Sequence, residues 1–405
     1  MNIVYLNPIG EIGGAEIALL HLLSALRTIE PQWNLTLVAG AEGPLVSRAK
    51  ALGVATKVIA LPPSIKHLGD SGLGAKDGPS VGPTFFANLV SGGIDAAFYL
   101  PALHRAIREA KPDVVHSNGF KMHLLSTYAS GYDIPIVWHI HDYVSSRAVA
   151  GPLLRFHSSR CSTAVANSVS VAADLRSIGN FNIQAIYNGI DTDVFAPTGP
   201  SLDLDGLAGL PPAGPEVTRV GLVGTFARWK GHEIFLRALS LLSPKIPIRG
   251  YIVGGPIYDT KGSQRTLAEV KDLANDLGLS GRVGFTGLVQ NPAEAIRALD
   301  VVVHASTQAE PFGLVIVEAM SCGKSVIVSN CGGASELVQD RVNALTNRPG
   351  DAIGMAALIR ELVEDSHLRA RLGKAARITA ETRFSRSRFG TEFVQIYTRL
   401  ASTQN

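Results

Sequence analysis

Short apolar runs recur along the chain, separated by longer stretches in which apolar residues return every three or four positions. In the first half the runs fall at 3–6, 35–38, 58–61, 114–116, 136–139 and 164–166. Between them, 15–27, 45–52 and 100–110 carry the helical period. Strands without polar alternation are buried on both faces. Alternating with helices, they predict a parallel sheet covered on each side. The second half restarts the rhythm, with runs at 220–223, 251–253, 283–285, 301–303 and 326–328 and helical patterns at 233–242, 267–277 and 314–320. A last helix is predicted over 385–400, where Phe389, Phe393, Ile396 and Leu400 share a face.

Residues 193–216 interrupt the pattern with five prolines and four glycines, the composition of a linker. This predicts a first domain over 1–195, a linker over 196–216 and a second domain over 217–384. A second interruption, 64–98, is rich in Gly, Pro and Ser before Phe85, Phe86, Phe98 and Tyr99. A loop this long fits an acceptor-side flap, a membrane contact or a plain surface insertion.

Composition narrows the class. A chain of 405 residues, 46% hydrophobic and 18% charged, suits two globular domains. A net charge of +3 argues against a nucleic-acid partner, which calls for a concentrated basic face. The three cysteines form no C-x-x-C pair, which points to a reducing compartment without structural zinc. The N-terminus runs straight into a strand and no apolar run approaches the roughly 20 residues that span a bilayer. The expectation is a cytoplasmic protein, with peripheral membrane contact left open.

Candidate chemistry lies where strands end, because ligands of open α/β sheets bind there. Gly13 and Gly14 stand just before the first helix, in a spacing that is not G-x-G-x-x-G. They suit a close backbone approach or simply a tight turn. His139 and His141 end a strand and point the same way. No third ligand gives them a metal site, so His141 is the candidate for substrate and His139 for the core. Arg228 and Lys230 follow the strand at 220–223, and Arg as a fork with Lys as a point charge suits a diphosphate.

The densest stretch is 304–335. Glu310 precedes a Pro-Phe-Gly turn, and Glu318 lies in the helix that follows, roughly 7 Å along its axis. Free amides at a helix start near Gly313 attract a phosphate. Carboxylates on either side suit hydroxyls, and the whole describes a nucleotide sugar. Spacing alone fits a solvated loop Glu and a surface helix Glu equally well. Other patterns fail on context. Gly323-Lys324-Ser325 lacks the first P-loop glycine and precedes a strand, while the D-x-D pairs 191–193 and 203–205 sit in or beside the linker.

Taken together, these blocks resemble glycosyltransferase family 4. They are G-G-A-E at 13–16, H-I-H-D at 139–142, N-S-V-S at 167–170, Y-N-G-I-D-T-D-V-F at 187–195, V-G-T-F-A-R-W-K-G at 223–231, V-G-F-T-G at 283–287, E-P-F-G-L-V-I-V-E-A-M at 310–320 and G-G-A-S-E at 332–336. The resemblance implies the α/β GT-B fold: two facing Rossmann-like domains, a deep cleft between them, and a C-terminal helix, 385–405, crossing back to an acceptor-binding first domain. It implies a retaining, metal-independent hexosyltransferase with no cofactor. The donor would be a UDP-, GDP- or ADP-sugar, and the acceptor a glycan, a glycolipid or a small molecule in polysaccharide or envelope synthesis. Glu310, His141 and Lys230 would be catalytic. Gly14, Arg228, Lys230, Gly254, Thr286, Val289, Glu310, Phe312, Gly313, Leu314 and Glu318 would line the donor site, Glu318 on the ribose and Lys230 on the diphosphate. The family usually has Arg at the position of Thr225, so Arg228 either supplies that charge or is an exposed cation.

Other functions fit parts of the pattern. An epimerase or a phosphorylase would share the fold but need ring-directed carboxylates or a pyridoxal lysine. A nicotinamide oxidoreductase would need the missing G-x-G-x-x-G, and a non-catalytic nucleotide-sugar binder would tolerate Thr225.

Overall fold

The structure, a computed structural model, describes residues 1–66, 83–147, 149–256 and 264–403. The chain forms two compact units, Met1–Gly189 with Arg386–Asn405, and Ile190–Ser385. The first holds a seven-stranded parallel sheet of β1 (Asn2–Asn7), β2 (Asn34–Ala39), β3 (Ala55–Val58), β4 (Val114–Asn118), β5 (Ile136–Ile140), β6 (Thr163–Ala166) and β7 (Ile183–Ala185), in the order β3-β2-β1-β4-β5-β6-β7. The second holds six parallel strands: β8 (Thr218–Val223), β9 (Ile248–Val253), β10 (Val283–Gly287), β11 (Val301–His304), β12 (Ser325–Ser329) and β13 (Leu345–Asn347), in the order β10-β9-β8-β11-β12-β13. Both sheets reverse their order once, between β1 and β4 and between β8 and β11. Crevices for ligands open at such switch points.

The apolar runs fill the cores. In the first unit Leu19, Leu22 and Leu26 of the helix Gly14–Ile29 pack with Phe389, Phe393 and Tyr397 of the helix Arg386–Ser402. The two helices run so close that a Cβ on Gly390 would lie 2.6 Å from Cβ of Ala25. In the second unit Phe235, Leu236, Leu239, Met355 and Ile359 cover the sheet. Each such fully buried side chain contributes about 1.5–3 kcal/mol.

Several elements depart from the sequence reading. The third strand ends at Val58 instead of starting there, because an edge strand with half-exposed side chains carries little apolar signal. The three-residue edge strands β7 and β13 were too short to leave one. Helical backbone begins at Pro83, so the irregular stretch 64–98 is partly helix, Pro83–Glu109, entered after the short turn Pro63–Lys66. Residues 67–82, and the side chains of Phe85 and Phe86, lie outside the described residues, and with them most of the stretch read as a flap, a membrane contact or a surface insertion.

Residues 196–216, expected as a linker, lie in the second unit. They carry the helix Leu204–Ala208, capped by Asp203 Oδ1, which accepts from Gly206 N at 3.0 Å. Asp205 is buried and accepts from Tyr251 Oη (2.5 Å), Arg249 Nη1 (2.6 Å), Arg219 Nη2 (3.2 Å) and Ala213 N (3.0 Å). The D-L-D pair thus caps one helix and staples the segment to β8 and β9. Among the described residues no helix is long and apolar enough to cross a membrane.

Candidate active site

The chemistry of the second unit gathers at its switch point. After β8 the chain makes a short helical turn, Arg228–Lys230, and ends it on Gly231 at φ 75°. A Cβ there would fall 1.9 Å from the Ala305 carbonyl oxygen, so only glycine lets this loop close on the end of β11. Thr307 N donates to Trp229 O at 2.8 Å and ties the same two loops. Lys230 is thereby held with Nζ 4.3 Å from the Trp229 ring centroid, and it donates to Glu310 Oε1 at 2.5 Å.

The other oxygen of Glu310 is equally engaged. His304 Nε2 donates to Oε2 at 2.5 Å, and Ser306 Oγ donates to it at 2.8 Å. Because a carboxylate only accepts, the His304 proton sits on Nε2. Glu310, His304 and Ser306 are all buried. Burial alone would raise the Glu310 carboxyl, but the charges and hydrogen bonds of Lys230 and His304 outweigh it and hold the group well below the usual carboxylate range. Glu310 is a fixed negative charge beside a fixed positive one.

Next to this pair a helix begins without a cap. Gly313, at φ 101°, is the N-cap of Leu314–Ser321 and offers no side chain, so the amides of Leu314 and Val315 have no side-chain cap, while Ile316 N donates to Gly313 O at 3.0 Å. Phe312 anchors the turn by packing edge-on to Phe384, with centroids 6.1 Å apart. Glu318 is 9% exposed, and among the described residues no protein group hydrogen-bonds its carboxyl. Burial raises it to about 7, against a small opposing pull from Lys230. Two carboxyls eight residues apart are therefore in opposite states. One is charged and saturated; the other is poised and unsatisfied.

The remaining second-unit candidates are less closely joined. Gly254, at φ 136°, would put a Cβ 1.9 Å from Gly224 O, so it lets the loop after β9 pack against the one after β8. Arg228 is exposed and lies 3.7 Å from Glu269. Thr286 and Val289 sit at and beyond the end of the edge strand β10. Thr286 Oγ1 donates to Gly287 O at 3.0 Å, and neither residue hydrogen-bonds to the Glu310 cluster.

In the first unit the counterpart positions are also at strand ends. Gly14 opens the first helix and is exposed, while Gly13 before it donates its amide to Glu16 Oε2 at 3.0 Å. His141 follows β5 directly and is half-buried, and His139 is fully buried against it at a centroid distance of 4.0 Å. Burial lowers His141 to about 3, so the ring is neutral. Its Nε2 lies 2.6 Å from Asn118 Oδ1 at the end of β4. Among the described residues no group of three His, Cys, Asp or Glu side chains could hold a metal ion.

Comparison with known proteins matches both halves. The description "Glycosyltransferase Family 4" fits residues 12–194, and "Glycosyl transferases group 1" fits residues 214–379. The chain belongs to glycosyltransferase family 4. Its two parallel sheets are those of the GT-B fold. A lipopolysaccharide core biosynthesis glycosyltransferase, LpsE of Rhizobium meliloti (strain 1021), is 32% identical over 174 residues, 43% of this chain and 48% of its own. A D-inositol 3-phosphate glycosyltransferase of Stackebrandtia nassauensis is 32% identical over 221 residues, 53% of this chain and 48% of its own. The chain spans about half the length of these curated relatives. Over nearly its whole length it resembles Anabaena HepE solved with UDP, at 26% identity and a TM-score of 0.77, covering 98% of this chain and 100% of that one. HepE has also been solved with UDP-glucose.

Sequence reasoning missed five residues that now stand out in this family 4 chain: His304, Ser306, Asn7, Glu16 and Asn118. His304 and Ser306 lay inside the stretch 304–335, and Glu16 inside the block 13–16, without a role of their own. Asn7 and Asn118 had a fainter signal, as polar residues closing the strands on either side of the switch point.

Proposed function

We propose that this protein is a retaining glycosyltransferase that moves a hexose from a nucleoside diphosphate sugar to an acceptor hydroxyl in glycan, glycolipid or cell-envelope synthesis. The observation that carries the reading is the ion pair of half-buried Lys230 with buried Glu310 at the switch point, beside an uncapped helix start. Lys230 and the amides after Gly313 supply positive charge where a departing diphosphate gathers negative charge. Glu318, buried and with no hydrogen bond to its carboxyl among the described residues, accepts hydrogen bonds from the ribose diol. Glu310, charged and locked by His304 and Ser306, orients the sugar and returns Lys230 to position between turnovers. Gly14 approaches a donor phosphate and His141 a sugar hydroxyl. The leaving phosphate takes the acceptor proton on the face it departs from, which preserves the anomeric configuration. No step calls for a metal.

The chemistry of the donor site, and the UDP and UDP-glucose bound by HepE, make UDP-glucose the first donor to test. A thermal-shift panel of UDP-, GDP- and ADP-sugars should show one base raising the melting temperature, as any ligand of the folded state does. Transfer to a lipid-linked or soluble glycan acceptor should then follow by product mass. No shift with any nucleotide would overturn the reading.

A further inference from the structure

Four polar side chains of the first unit form one hydrogen-bonded chain across its switch point. His141 Nε2 meets Asn118 Oδ1 at 2.6 Å. Asn118 Nδ2 donates to Asn7 Oδ1 at 2.7 Å. Asn7 Nδ2 donates to Ile9 O at 2.8 Å and to Glu16 Oε1 at 3.3 Å. Asn7, Asn118 and Glu16 are buried, and the strands carrying Asn7 and Asn118 are paired.

The direction of the chain is determined by its far end. The Ile9 carbonyl can only accept, so the amide nitrogen of Asn7 must face it, and its oxygen must face Asn118. That oxygen needs a donor, so Asn118 turns its nitrogen toward Asn7 and its oxygen toward His141. An oxygen there leaves His141 one option, a proton on Nε2. In a neutral ring the other nitrogen, Nδ1, is then a bare lone pair, and among the described residues no protein group donates to it.

We propose that Asn118 is a positioning residue that fixes the tautomer of His141, making Nδ1 an acceptor that reads a ligand hydroxyl and refuses a phosphate oxygen. A hydroxyl has a proton to give to Nδ1; an ionised phosphate oxygen has none, and the two lone pairs repel. The same relay therefore favours a sugar hydroxyl over an ionised phosphate oxygen at His141. The inference rests on the donor-sugar reading for the identity of the ligand, but the tautomer does not.

The two are separated by a pair of measurements on the full chain. Two-bond proton–nitrogen NMR of ¹⁵N-histidine protein, with His141 assigned by its loss in His141→Gln, reports the tautomer with no ligand present. Nε2–H in the native protein, changing to a mixture in Asn118→Ala and retained in Asn118→Asp, supports the relay, since a carboxylate still accepts from Nε2. Asn7→Ala provides the same test should Asn118→Ala not fold. Nδ1–H in the native protein, or no change in either alanine variant, overturns the proposal. The second measurement compares binding of UDP-glucose with its monodeoxy analogues. One missing hydroxyl should cost the native protein about tenfold in affinity and Asn118→Ala almost nothing. Equal discrimination by both proteins overturns the hydroxyl role. Failure of UDP-glucose itself to bind would count against the proposed donor, while the NMR result would still decide the relay.

Discussion

The two units share a strand order and place their polar residues at the same point of it, yet they bury those residues by opposite means. At the switch point of the second unit a lysine and a glutamate neutralise each other, and a histidine and a serine saturate what is left. At that of the first unit two asparagines and a neutral histidine hand hydrogen bonds along a line that ends on Glu16. Buried charge survives by pairing, and buried dipoles survive by direction. The difference sets what each surface can hold. Lys230 can exchange Glu310 for another anion, whereas His141 and Asn118 can only complete a pattern of donors and acceptors.

The most drastic way to break the contrast is to remove the geometry that assembles the charged cluster. Gly231→Val places side-chain atoms inside the Ala305 carbonyl in a left-handed backbone. Loss of the second unit's cooperative unfolding, followed by calorimetry, is the expected result, with the first unit's transition kept. Next comes Lys230→Ala, which should lower turnover by about 10²–10³-fold with an unchanged circular dichroism spectrum. Full activity there, or in Glu310→Ala, would remove the pair from the active site.

Acid titration sharpens the contrast further. Glu318 stands above its ordinary 4.5, so its contribution to stability is present below about 4.5 and is lost as pH rises to about 7. Glu318→Gln should flatten the melting temperature over that window and weaken nucleoside diphosphate binding about tenfold. The first unit should slope the other way. His116 and His141 are depressed to about 3 by burial, so they favour the fold above 6.5 and lose that contribution as pH falls toward 3. Glu16, raised by burial, works against them and should soften the loss. The smallest effect is expected for Arg228→Ala, under about threefold in donor affinity, since its exposed partner Glu269 makes a weak pair. If Thr225→Arg then tightens donor binding, the charge the family usually carries there was missing rather than moved.

What the sequence made legible follows from how local each signal was. The double sheet was readable because buried parallel strands carry unbroken apolar runs. β7 and β13 escaped because three residues at an edge bury too little to stand out, and the proline-rich 196–216 passed for a linker because its anchor, Asp205, finds Tyr251 and Arg249 only in three dimensions. Spacing alone left Glu310 and Glu318 even between a site and a surface; the resemblance of the blocks around them and Lys230 tipped the reading toward a site. Asn7 and Asn118 were not legible, since a relay between residues 111 positions apart exists only once β1 and β4 are paired.

The helix Arg386–Ser402 has a consequence for how the protein is made. It completes the core of the first unit, where Tyr397 Oη bonds His116 Nδ1 at 2.6 Å across 281 positions of chain. A ribosome delivers the first sheet long before that helix. Through the whole synthesis of the second unit, Leu19, Leu22 and Leu26 stay uncovered on one side, open to wrong partners and to chaperones. The second unit, contiguous in sequence, can close while the first still waits. Fusion or truncation near the carboxyl end should therefore register as insolubility of the amino-terminal half.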